Sequence, residues 1–391
     1  MLRSLFSGIS GLRAHQQMMD VTGNNISNIN TAGFKSSQAT FADTLSQTVR
    51  GAGAPQAGNG GINPAQVGLG VRLAGIETNF AQGAAQVTGR NTDLMIQGDG
   101  FFVVRDGGEQ LYTRAGSFSF DTDGRLVGSG GKVVQGWTAV DGVTDTATAP
   151  GDIRLPIGVL LPPTATTAAV VGGNLPGDTT STTPIVRSIT AYDASGNEST
   201  LSVSFSKVTQ DDWTVIVSDG TASTTPQTVT FDAQGTPSIG SITLGGIVVD
   251  ISQVTNFAGA DTVAALSQNG GAMGSLQAFS IGPDGTLVGI FSNGLKSPLA
   301  QLALANFSNP PGLEKVGDSM YRTTLNSGAV QLGVADSGNR GVIQGGALEM
   351  SNVDLAQEFT NLVIAQRGFQ ANSRMITTSD ELLQELVNLK R

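Results

Sequence analysis

The sequence predicts an α+β chain in which long, coiled-coil-like terminal helices enclose two nested all-β domains. Three observations lead there. Apolar residues recur at alternating steps of three and four at both ends. The interior is rich in Gly and Thr and breaks into short strand-like runs. One hairpin pattern occurs twice, on either side of a second β-rich stretch.

Residues 1–30 read as the first helix. Leu2, Leu5, Ile9, Leu12, Gln16, Met19, Gly23 and Ile26 trace the seam of a coiled coil. Gly8, Gly11 and Gly23 each cost that helix about 1 kcal/mol relative to Ala. The Asn-rich stretch Asn24-Asn25-Ile26-Ser27-Asn28-Ile29-Asn30 ends it, because Asn and Gly tolerate the left-handed backbone that stops a helix. Residues 31–70 read as a connecting segment. From Gly51 to Gly70 it carries no charge and consists mostly of Gly, Ala, Pro, Gln and Asn, the composition of a linker or long loop.

Residues 71–148 together with 275–351 form the expected first β domain. Its runs Leu94-Ile96, Phe101-Val104, Leu111-Thr113, Phe118-Phe120, Leu126-Val127 and Val133-Val134 alternate with turns, Asp106-Gly107 and Asp123-Gly124 being the hairpin signals. The segment 118–128 is echoed by 279–289, both containing Asp-Gly followed two residues later by Leu-Val-Gly. The two hairpins flank residues 149–274, which therefore read as a second β domain inserted into the first. Residues 352–391 form the C-terminal helix, expected to pair with 1–30. Ser351-Asn352-Val353-Asp354 resembles a capping box. Leu355, Phe359, Leu362, Gln366, Phe369, Ser373, Ile376, Asp380, Leu383 and Val387 repeat the three-four spacing, and Met375, Leu382, Leu386 and Leu389 form a second stripe.

Composition narrows the function. Charged residues make up 13% of the 391 residues, about half the usual share. The net charge of −10, with 21 scattered basic residues, argues against a nucleic-acid partner. The chain has no Cys, which excludes disulfides and thiolate chemistry. No stretch approaches the roughly 18 apolar residues that span a bilayer. His15 is the only histidine, so a catalytic triad or a His-based metal site has almost nothing to draw on. Asp121-x-Asp123-Gly124 lacks the remainder of a calcium loop and reads as a turn. The expectation is a structural protein, not an enzyme, with no catalytic residue, metal or cofactor.

Assembly follows from a magnitude. Burying six apolar seam residues contributes on the order of 10–15 kcal/mol. Ordering the backbone of the first helix costs about 27–54 kcal/mol, offset only in part by hydrogen bonds. The two ends can cover one another, but the second stripe of the C-terminal segment needs further partners. Contacts with copies of the same chain are inferred.

The segment from Asn24 to Lys35, with Asn24, Asn25, Asn28, Thr31, Gly33 and Phe34, resembles the N-terminal signature of bacterial flagellar rod and hook axial proteins. Gln97-Gly98-Asp99-Gly100-Phe101-Phe102 and Thr113-Arg114-Ala115-Gly116-Ser117-Phe118 resemble that family's first β domain. Ser351, Asn352 and Asp354, followed by Gln366-Arg367-Gly368-Phe369-Gln370-Ala371-Asn372-Ser373, resemble its C-terminal helix. The insert, with Tyr192-Asp193-Ala194-Ser195-Gly196-Asn197, Phe205 and Trp213, is similar to the middle domain of the family's hook members. The resemblance implies a tubular homopolymer outside the cell, exported through a type III apparatus without a cleaved signal peptide. It also implies rod, hook cap and hook–filament junction proteins as partners, with no membrane insertion. A rod-type subunit with an unusual insertion is the nearest alternative. A secreted β-rich hydrolase or adhesin is the alternative from a different class.

Overall fold

The computed structural model describes residues 2–55, 60–140, 142–155, 158, 160–178 and 183–388, with backbone alone at Leu2, Arg3 and Leu386. The chain is mostly β, with one long helix at each end: α1 (Leu2–Ser27) and α2 (Leu355–Asn388). Among the described residues no helix is long and apolar enough to cross a membrane. Two compact units result. The first comprises Met1–Leu155, Ser280–Val288 and Pro298–Arg391; the second comprises Pro156–Phe279 and Gly289–Ser297.

In the first unit the strand-like runs pair as antiparallel ladders. Phe101–Asp106 lies against Glu109–Thr113 across the tight turn at Gly107-Gly108, with Phe102 opposite Thr113. The C-terminal half of the chain returns to this sheet: Ala305 pairs with Phe101, and Tyr321 with Tyr112. Alternation along these strands buries Phe101, Val103, Tyr112, Trp137, Phe307 and Tyr321 in one core. The rings meet edge to face, Phe101 and Phe307 at 5.7 Å and Tyr112 and Phe307 at 4.9 Å, the arrangement aromatic quadrupoles favour. The echoed segments share a turn. Gly124 N–H donates to Asp121 O and Asp121 N–H to Arg125 O; Gly285 N–H donates to Gly282 O and Gly282 N–H to Thr286 O. Asp121 Oδ1 also accepts from the backbone of Asp123 and Arg125, so this carboxylate closes a hairpin turn.

The segment expected as a connector is largely a two-stranded ribbon. β1 (Ser37–Asp43) pairs with β4 (Val71–Thr78), and β2 (Ser46–Arg50) pairs with β3 (Ala65–Gly68). Its Gly-, Ala- and Gln-rich tip hides the pairing in the sequence pattern. The base rests on α1, where Ser10 Oγ accepts from Val71 N–H at 3.2 Å. β2 is exposed throughout.

The second unit contains two four-stranded sheets. One is the meander Ile185–Tyr192, Glu198–Lys207, Asp212–Ser218 and Gln227–Thr230. The other contains Ala168–Pro176 running parallel to Ile247–Phe257. Period-two burial along Asp212–Ser218 turns Trp213, Val215 and Val217 inward, where they join Phe205, Val249 and Ile251. The sequence landmark at Tyr192–Asn197 is a turn. Asp193 Oδ1 accepts from the backbone of Ser195 and Asn197, and the Asn197 side chain is the main cause that holds this carboxyl below its usual range.

Trp213 is 1% exposed and its Nε1 donates to Asn256 Oδ1 at 3.3 Å. Trp213→Ala is expected to destabilise the second unit by about 3–5 kcal/mol, read from the denaturant midpoint followed by circular dichroism.

Candidate assembly surface

α1 and α2 pack side by side and antiparallel. A Cβ added at Gly8 would meet Ile376, one at Gly11 would lie 2.6 Å from Asn372 Oδ1, and one at Gly368 would run into the His15 ring. Asn25 Nδ2 donates to Glu358 Oε1 at 3.0 Å at the far end of the same line. From Gly11 to His15 to Asn25 the steps of four and ten along α1 are matched by steps of four and ten back along α2, from Asn372 to Gly368 to Glu358, so the register does not slip over this stretch. The buried line is made of small and polar side chains: Ala14, Thr22 and Asn25 on α1, Ala365 and Ser379 on α2. Such residues let two helix backbones approach closely.

The apolar residues chosen from periodicity therefore flank this line instead of forming it. Leu5, Leu12, Met19 and Ile26 are half-buried beside it, as are Leu362, Ile376 and Leu383, while Ile9, Leu355, Phe359 and Phe369 are exposed. The side chains of Leu2 and Leu386 lie outside the described residues. On α2 the exposed residues fall into two stripes, one on each side of the contact with α1. Leu355, Phe359 and Val363 follow one another at single turns; Ile364, Met375 and Leu382 are separated by whole numbers of turns. Phe359 and Ile364 are each 52% exposed, so α1 leaves both flanks open.

The helix ends are set by local hydrogen bonds. α1 stops where Asn28 Nδ2 turns back to Asn24 O and Oδ1 and Thr31 Oγ1 reaches Asn28 Oδ1. Gly33 follows with φ +69°, so close to the Ala115 backbone that no Cβ fits. α2 starts one turn later than the capping-box reading places it. Asp354 is the N-cap, its Oδ1 accepting from Ala356 and Gln357 N–H, while Ser351 Oγ accepts from Val353 N–H at 3.4 Å. Gln366 and Arg367 are exposed on α2, and Asn372 bonds back to Gly368 O.

Below the helices the two chain ends are tied together. Asn25 exchanges hydrogen bonds with the Ser37 backbone. Asn352 accepts from Ser36 N–H and donates to Asn79 O and Ala81 O. Under them lies a buried charge cluster. Lys35 Nζ is 2.6 Å from Glu349 Oε1, both side chains fully buried, and it also donates to Ala81 O. Gly83 N–H donates to the same carboxylate oxygen at 2.9 Å. Arg114 Nη1 stands 3.6 Å from Glu349 Oε2, donates to Gly98 O, and stacks its guanidinium over Phe101. Burial pulls Lys35 below its ordinary pKa, against the upward influence of Glu349. Sequence reasoning does not single out Lys35, Arg114 or Glu349. The first two stand inside the quoted motifs, which was the available signal; Glu349 carried none.

Comparison with known proteins covers nearly the whole chain. Residues 5–35 match the flagella basal body rod protein family, and 95–172 the flagellar hook protein FlgE/F/G D1 domain. Residues 161–271 match the flagellar basal body protein FlaE D2 domain, and 344–389 the flagellar basal body rod FlgEFG protein C-terminal region. The flagellar hook protein FlgE of Borreliella burgdorferi is 38% identical, with all of both chains covered. That of Treponema pallidum is 36% identical over the same full coverage. The flagellar basal-body rod protein FlgG of Bacillus subtilis is 33% identical, again with both chains fully covered. The crystal structure of Helicobacter pylori flagellar hook protein FlgE2 shares the fold at a TM-score of 0.51 and 16% identity, covering 68% of this chain and all of that one.

Removing one partner of a buried charge cluster strands the others. Glu349→Leu leaves two buried cations and is expected to cost about 3–5 kcal/mol in denaturant unfolding. Lys35→Met costs less, since Glu349 keeps Arg114 and the Gly83 N–H; the reverse order would contradict this role for Glu349.

Proposed function

The chain belongs to the flagellar hook protein family and is a structural subunit of the hook, and from that premise we propose that its copies polymerise through their terminal helices into a curved, flexible tube that passes torque from rod to filament. The observation that carries this reading is the pair of open apolar stripes on α2. Each large apolar side chain moved from water into a neighbour's surface contributes roughly 1.5–3 kcal/mol. A lone copy leaves that energy unused on both sides of the helix pair. Leu2, Leu5, Ile9, Leu12, Met19 and Ile26 on α1, with Leu355, Phe359, Leu362, Phe369, Ile376, Leu383 and Leu386 on α2, are the assembly residues in this reading.

Residues 1–30 and 352–391 line the inner wall around an export channel. The β domains, 71–148 with 275–351 and 149–274, lie at larger radius than the helices. The subunit travels unfolded through a type III apparatus with its N-terminus retained, which the absence of Cys favours. It joins rod proteins at one end of the tube and junction proteins at the other, adding beneath a cap.

The full-length match to a rod protein keeps a rod subunit as the second reading. Electron microscopy of the purified polymer separates the two, a curved tube supporting the hook and a straight one the rod.

Deletion of residues 1–30 is expected to leave both β units folded, to abolish tubes in electron micrographs and to lower the helix content of α2. Tubes formed by the truncated chain would contradict the assembly role. The insert is sparsely charged, which suits surfaces that slide during bending. Ser188→Leu with Thr190→Leu, both at exposed positions of the outer meander, is expected to lengthen the bending persistence of tubes; an unchanged value counts against sliding.

A further inference from the structure

The buried charge cluster below the terminal helices brings an amine and a carboxyl into contact. Lys35 Nζ and Glu349 Oε1 are 2.6 Å apart, with both side chains fully buried. Each partner is fixed from a second side. Nζ donates to Ala81 O at 2.8 Å, and Glu349 Oε1 accepts from Gly83 N–H at 2.9 Å. Oε2 accepts no hydrogen bond among the described residues and lies 3.6 Å from Arg114 Nη1. Two reactants held in contact act at an effective concentration that no solution reaches.

Burial also favours the reactive form of each group. It pulls Lys35 below its ordinary pKa, with Arg114 adding to the effect and Glu349 opposing it. A desolvated amine that gives up its proton is a nucleophile. The 2.6 Å contact carries that proton to Oε1 and leaves a neutral amine beside a neutral acid. Joining them as an amide removes two buried charges, and the cost of keeping such charges from water favours the step. Bulk water does not reach either side chain to reverse it.

We propose that Lys35 and Glu349 condense into an amide, a cross-link that closes the chain across 314 positions of sequence. The carboxyl turns about its Cγ–Cδ bond, and the Nζ lone pair attacks Cδ. Negative charge gathers on Oε2 beside the Arg114 cation, which stabilises a developing oxyanion. The Cδ–Oε1 bond then breaks. Two ammonium protons leave with Oε1 as water, and Gly83 N–H, already on that oxygen, assists its departure. The last proton stays on the amide nitrogen, where Ala81 O accepts it. Nothing is oxidised or reduced. The two groups meet only in the folded chain, so a freshly folded molecule holds the ion pair and the amide accumulates from it. The cross-link lies within one chain and stands apart from the hook reading.

Mass spectrometry of the full-length chain, incubated folded at neutral pH for several days, tests this. Most molecules are expected to be lighter by one water. A digest is expected to contain the peptide of Lys35 joined to that of Glu349, with tryptic cleavage after Lys35 lost. Incubation in denaturant is expected to give no link. Lys35→Arg keeps the cation without the amine and should retain its full mass. Glu349→Gln should lose ammonia in place of water from the same pair. A wild-type chain that keeps its full mass overturns the cross-link, whatever the variants do. So does a lost water traced to an Asp-Gly turn such as Asp123-Gly124, where cyclisation of the aspartate gives the same change in mass.

Discussion

Two charges that water does not reach hold the roots of the terminal helices together. Lys35 follows α1 by eight residues and Glu349 precedes α2 by six, and they meet at 2.6 Å although 314 residues separate them in sequence. Desolvating this pair is expensive, and the cost is offset in part by hydrogen bonds to Ala81 O and from Gly83 N–H and by the Arg114 charge 3.6 Å from Glu349 Oε2. Such a cluster contributes little net stability compared with an apolar replacement. Its value is positional: it holds the segment that follows α1 against the strand that precedes α2, and so it fixes where both helices leave the β unit. The Asn25 and Asn352 side chains then tie the same backbones from above.

From that root the helices run in a register dictated by volume. Gly11 opposite Asn372 and Gly368 opposite His15 are reciprocal, each glycine leaving room for the larger side chain across from it. A line of this kind holds register well but buries little apolar area. The large residues are displaced to its two flanks, and the helix pair ends with grease on both sides. Register inside the subunit and adhesiveness outside it are thus one arrangement seen from two faces. In the proposed assembly, neighbouring copies would cover the surface that the inner seam leaves open.

The terminal helices and the paired strands near Phe101 and Leu111 were legible because alternation and three-four spacing count apolar residues. The same count misplaces the seam: it ranks Leu and Ile above Gly and Ala, whereas close helix contact favours the small ones. The start of α2 was off by a turn because Ser351 and Asp354 both look like caps, and only the amides of Ala356 and Gln357 decide between them. The ribbon from β1 to β4 was hidden because its apolar residues, such as Val49, Val67 and Ile76, are exposed and sparse, and the Gly-rich tip between β2 and β3 reads as a loop. The Lys35–Glu349 contact is long-range, and no local signal in the sequence encodes a partner so distant.

Backbone hydrogen exchange along residues 2–27 and 355–388 most directly tests whether the helical ends depend on neighbouring copies. It should be measured on dilute monomer and on assembled tubes. Amides in these two segments are expected to exchange rapidly in the monomer, while those of the β strands around Phe101 and Trp213 stay protected, and to become strongly protected in the tube. Equal and full protection of both helices in the monomer would contradict the account.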